Sequence, residues 1–284
     1  MIRLAVLVMT VIVAALSPRA LPLPAQPAAR SVLDTHLLVT WYGNPRSTRM
    51  GILGERDAAA RAEGLRAQAA AYAGLTPKTV IPAYELVTVV AQCTAGRDEK
   101  WRRREGDDFI RGLLAEARAN GFKLVLDVQP GRSSVADEVN ALRPYLAEPD
   151  VYLALDPEFA MSDCEVPGRE IGQMSAADIN DALTILESEI AKGSLPPKVL
   201  IVHQFRIDML PDKKGIRDSP TVDVVLNMDG FGSQSLKRSS YRTVMRHGPL
   251  EFAGIKLFYR QDTNLFSPAQ VMSMTPKPSV VIYQ

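Results

Sequence analysis

Asp156 and Glu158 stand one residue apart at the end of the apolar run Val151-Tyr152-Leu153-Ala154-Leu155, with Pro157 between them. Alternate residues of a strand share a face, so the two carboxylates point the same way and Pro157 points away. Neighbouring carboxylates split their roles when charge and burial raise one pKa and keep that group protonated. Glycosidic cleavage uses such a pair, one member donating a proton to the leaving oxygen. The structural alternative is two acids tied to loop amides or to arginines.

Other apolar runs also end in polar residues: Asp127 and Gln129, His203 and Gln204, Asn227 and Asp229. Tyr42, Tyr259 and Tyr283 add aromatic surfaces at further run ends. Amides and acids that bind hydroxyls, beside rings that stack on sugars, describe a carbohydrate site. Each residue has a plainer reading. His203 fits a hydrogen-bonded core or rim position, Asp127 a loop cap, and Asp229 a turn before Gly230-Phe231-Gly232. Tyr259 and Tyr283 alternate with apolar neighbours and fit the core. A third chemistry pairs His203 with Asp229 in a different hydrolase.

The elements that must position these residues are eight short apolar runs: 35–41, 80–91, 123–129, 151–158, 198–205, 222–229, 254–259 and 279–283. They read as continuous rather than alternating, as parallel strands covered on both faces do. Helical segments at about 57–73, 107–120 and 175–192 separate them. Gly121 stops one helix, while Ser134 and Ser175 are each followed three residues later by an Asp in a capping arrangement. This pattern predicts a single (β/α)8 barrel, whose strand tips gather at one mouth. A doubly wound open sheet is disfavoured because no Gly-rich phosphate loop follows the first strand. The chain stops just after the eighth run, so the last helix is expected to be missing, with residues 30–33 covering that side.

The apolar run Leu4–Leu16 behind Arg3, with the Ala/Pro-rich stretch after it, reads as a signal peptide over residues 1–29. A retained N-terminal anchor is the alternative. Residues 30–284 then form the one barrel domain, close to the roughly 250 residues usual for that fold. The protein is expected outside the cytoplasm, secreted or associated with the cell envelope, as a monomer. With 33 Lys and Arg against 32 Asp and Glu, and no basic patch interleaved with aromatics, nucleic acid is not an expected partner. Three His and two Cys are too few and too scattered for a dedicated zinc site, so no metal and no cofactor is expected. Cys93 and Cys164 fall in loops on the same mouth, where an oxidising compartment allows a disulfide. The Arg102-Arg103-Arg104 run reads as a solvated loop face, with anionic-polymer binding as its functional alternative.

Two resemblances follow from these residues. The blocks 126–133, 153–158, 200–205 and 227–232 resemble those of an uncharacterised family of bacterial exported proteins, which brings no activity with it. Asp156-Pro157-Glu158 is similar to the end of the strand-four motif of family 18 chitinases and to the Asp-x-Glu of family 25 lysozymes. The chitinase likeness implies that Glu158 is the acid and that Asp156 helps the substrate's acetamido group act as nucleophile. The earlier acids of that motif fall at Ala154 and Val151 here. The expected function is a secreted glycoside hydrolase-like protein acting on a polysaccharide or cell-wall glycan. The alternative is a barrel that binds carbohydrate without turnover.

Overall fold

The computed structural model describes residues 31–246 and 251–284, so the signal-peptide reading lies outside the described residues. Eight parallel strands close on themselves: β1 (His36–Gly43), β2 (Thr79–Ala91), β4 (Lys123–Val128), β5 (Val151–Leu155), β6 (Lys198–Gln204), β7 (Val222–Met228), β8 (Phe252–Leu257) and β9 (Val280–Tyr283). β1 pairs in parallel with both β2 and β9, which shuts the ring and makes the fold a (β/α)8 barrel. The ninth strand, β3 (Arg102–Arg104), runs antiparallel along the end of β2.

Two apolar layers explain the continuous runs. Leu37, Val39 and Trp41 of β1 pack outward with the helices, while Leu38 and Tyr42 turn inward with Ala83, Val125, Tyr152, Ile201 and Ile282. Most of the length of each barrel strand is therefore buried on both faces. A bulge in β2 shifts the register between Val87 and Val89, so Val87 and Val90 both face inward although they are three residues apart. That shift turns Val90 and Ala91 toward the barrel mouth.

The outer layer is built from α2 (Ala58–Ala70), α3 (Asp107–Ala119), α4 (Val135–Ala141), α5 (Arg143–Leu146), α6 (Ala176–Gly193), α7 (Gln234–Arg246) and α8 (Pro268–Met272). Asp57, Ser134 and Ser175 cap α2, α4 and α6 by accepting from backbone N–H groups of the first turn. Ser175 and Asp178 form a full capping box. Among the described residues no α-helix joins β6 to β7. That connection contains Pro211, Gly215 and Pro220 and folds into two 3₁₀ turns, Ile207–Met209 and Lys213–Gly215. No helix follows β9 before Gln284.

The short helix α1 (Val32–Thr35) does not cover the flank left by a last helix. It plugs the floor of the barrel, where Leu33 is fully buried against the inward cluster. Its N–H donates to Asp223 Oδ2 at 2.8 Å and its carbonyl accepts from Lys78 Nζ at 2.5 Å. The arginine run is a partly solvated face, with Arg103 and Arg104 exposed, and each arginine is also ion-paired. Arg102 and Arg104 clamp the buried Glu138 at 2.7 and 2.6 Å, and Arg103 meets Glu105 at 2.7 Å.

Leu33→Ala opens a hole in that floor. It should lower the unfolding free energy by about 3 kcal/mol, read as a lower denaturant midpoint at unchanged slope.

Candidate active site at the barrel mouth

The C-terminal ends of the strands surround a cavity of about 590 Å³. Phe159, Phe205, Phe231 and Phe258 form its aromatic walls, and Tyr42, Gln129, Asp156, Glu158, Asp229 and Lys256 supply polar groups. Phe231 is 61% exposed and meets Phe258 edge to face at 5.8 Å. β5 itself ends at Leu155. Pro157 then starts a 3₁₀ turn over Pro157–Phe159, so Glu158 reaches the cavity from a turn rather than from strand alternation. Asp156 and Glu158 nevertheless line the same space.

Beneath the cavity lies a buried polar layer centred on His203. Its Nε2 is 3.2 Å from both Glu85 Oε1 and Asp127 Oδ2, and its Nδ1 is 3.3 Å from Asp229 Oδ2. Thr40 Oγ1 donates to Glu85 Oε2 at 2.6 Å. Asn227 Nδ2 lies 3.2 Å from His203 Nδ1, and Gly254 leaves it room, since a Cβ there would come within 2.6 Å of Asn227 Oδ1. Lys256 Nζ pairs with Asp229 Oδ1 at 3.3 Å and sits 3.4 Å from the Tyr42 ring centroid. Gln129 Nε2 donates to Tyr42 OH at 3.2 Å and to Asp156 Oδ2 at 3.4 Å.

These surroundings separate the carboxyls. Burial, then the charge of Asp229, pushes Glu158 above the usual carboxylate range. Burial followed by the charges of Asp127, Glu158 and Asp229 pushes Asp156 well above it, outweighing His203. Burial acts the same way on Asp229, but Lys256 and His203 outweigh it and hold that carboxyl low. Glu158 thus holds its proton more tightly than a free carboxyl, and Asp229 less tightly.

The structure brings Tyr42, Gln129, Asp156, Glu158 and Asp229 to the cavity and puts Asp127, His203 and Asn227 in the layer below it. It does not bring Gln204, Tyr259 or Tyr283 there. His203 faces inward, so the adjacent Gln204 faces out, donating to Arg206 and Ile207 carbonyls and accepting from Lys213. Tyr283 belongs to the outer layer, where its hydroxyl meets that of Tyr72 at 2.7 Å. Tyr259 stacks on Tyr283 and donates to Gln68 on α2. Glu85 and Lys256 were not singled out in the sequence, although each is the lone charge within an apolar strand and that signal was available.

Cys93 and Cys164 are both free and exposed rather than bonded. The segment after β4 lies between their loops: Arg132 N–H donates to Lys100 O, and Met161 N–H donates to Gly131 O, each at 2.8 Å.

No family model matches the chain, and no curated protein matches it. Among the solved structures that match is the xylanase and alpha-amylase inhibitor protein XAIP-II from Scadoxus multiflorus. It is 12% identical, covers 87% of this chain and 92% of its own, and has a TM-score of 0.49. Nothing about the site follows from a likeness of that size. Fold and site together define a (β/α)8-barrel protein with an acid-lined, aromatic-walled pocket.

Two outcomes are expected. Lys256→Met leaves Asp229 without its buried cation and should cost about 3 to 5 kcal/mol at pH 7, measured by chemical denaturation. Native protein should titrate two thiols with a thiol-reactive dye, without reductant.

Proposed function

We propose that this barrel is a glycoside hydrolase-like protein acting on a polysaccharide or cell-wall glycan outside the cytoplasm. The observation that carries this reading is the meeting of Asp156, Glu158 and Asp229 in one cavity with phenylalanine walls. Faces of sugar rings pack on such walls, while Gln129 and the acids bind hydroxyls. Glu158 serves as the general acid because its raised carboxyl keeps a proton for the glycosidic oxygen. Asp229, ion-paired with Lys256, is the ionised partner. Asp156, only 2% exposed, accepts from Gln129 and fixes its amide at the base of the pocket. The apolar run near the N-terminus supports export.

Asp156's burial also favours a second reading, in which the pocket binds carbohydrate without cleaving it. Release of reducing ends from peptidoglycan, chitin and xylan separates the two. Under the first reading wild-type protein releases them and Glu158→Gln lowers the rate about 10²- to 10⁴-fold while circular dichroism is unchanged. The acid must be protonated to act, so wild-type activity falls as pH rises through the raised Glu158 pKa, and that basic limb disappears in Glu158→Gln. A variant that keeps the full rate sinks the acid role. Equal oligosaccharide binding by both proteins with no product favours the second reading.

A further inference from the structure

We propose that Glu85, Asp127 and His203 form an interior site for one divalent transition-metal cation of the Zn²⁺ or Mn²⁺ type. The three residues come from β2, β4 and β6 and are each 0% exposed. One ligand atom from each lies within 4.8 Å of the others.

The argument begins with a shortage of protons. His203 Nε2 stands 3.2 Å from Glu85 Oε1 and 3.2 Å from Asp127 Oδ2, and a single N–H serves only one of them well. The geometry assigns its hydrogen bond to Glu85, and both carboxylate oxygens of Asp127 are left buried without a hydrogen-bond partner. An unpartnered buried carboxylate is costly, and a divalent cation relieves the cost for both acids at once. The spacing suits that exchange. Two donors bound at ordinary Zn–N and Zn–O lengths to one tetrahedral ion lie about 3.3 Å apart. One imidazole and two carboxylates are a donor set that borderline and hard first-row cations accept.

The surroundings orient the ligands. His203 Nδ1 is occupied by Asn227 Nδ2 at 3.2 Å and Asp229 Oδ2 at 3.3 Å, which leaves Nε2, turned toward Glu85 and Asp127, as the ligating nitrogen. Thr40 fixes Glu85 through its second oxygen. The cation takes the place of the Nε2 proton, so one proton leaves as it binds. Two negative charges on Glu85 and Asp127 then balance the ion, while Asp229 stays balanced by Lys256. The site is separate from the Glu158 acid and stands whether or not the glycan reading does.

The test uses the mature chain carrying Cys93→Ser and Cys164→Ser, so that exposed thiols bind nothing. After chelation and dialysis it is titrated with ZnCl₂ and MnCl₂ by calorimetry, and bound metal is counted after gel filtration. One equivalent of at least one of the two cations, a raised melting temperature and a visible Co²⁺ ligand-field band with Co²⁺ are expected. Asp127→Asn and Glu85→Gln should each weaken affinity at least 10-fold, and Asp229→Asn should weaken it about 10-fold through His203. Uptake below a tenth of an equivalent by wild-type side chains overturns the site, whatever the variants do. So does an equal, undiminished equivalent in a folded Asp127→Asn or Glu85→Gln protein, which would place the metal elsewhere. No glycan is needed, so failure here leaves the hydrolase reading to its own test.

Discussion

The imidazole of His203 is held among three carboxylates where water does not reach. Glu85 and Asp127 face one nitrogen and Asp229 the other, all within about 3.3 Å. A closed parallel barrel turns every second side chain into a dry interior, so any polar group on that register must find its partner inside the protein. Below this level the interior is mainly apolar, down to Leu33 at the floor, where the buried Asp223 accepts its N–H. Above it the strands open into the cavity. The ionic layer is therefore the boundary between a packed core and an open pocket.

Charge passes upward from that layer. Lys256 leans over Tyr42 and pairs with Asp229, whose negative charge helps raise Glu158. Removing solvent makes each of these couplings stronger than it would be at a surface. The apolar walls matter for the same reason: Phe159 and Phe258 limit the water that would otherwise level the acids toward one pKa. Two carboxyls with oppositely shifted proton affinities, Glu158 and Asp229, then line the same cavity.

Much of the scaffold was legible in the chain. The strand runs, the caps at Ser134 and Ser175, and the gathering of Asp156 and Glu158 at the mouth follow from local chemistry that residues a few positions apart decide. The connection between β6 and β7 was less legible, because Pro211 and Gly215 break a helix without saying what replaces it. Exposure of Arg103 and Arg104 was legible, whereas the pairing of Arg102 and Arg104 with Glu138 was not, because that partner stands more than 30 residues away along the chain.

Sequence by itself determined the strand spacing, the barrel class and the acids at the end of the fourth barrel strand. Those depend on periodicity and on which residues stop a strand, and both are local. Only the tertiary structure decided which side chains meet. Closure of β9 on β1 fixes the inward register, which sends Ile282 in and Tyr283 out, and the bulge in β2 resets that register before Val90. Glu85, Asp127 and His203 lie 42 and 76 residues apart along the chain, and they become neighbours because three strands curve around one axis.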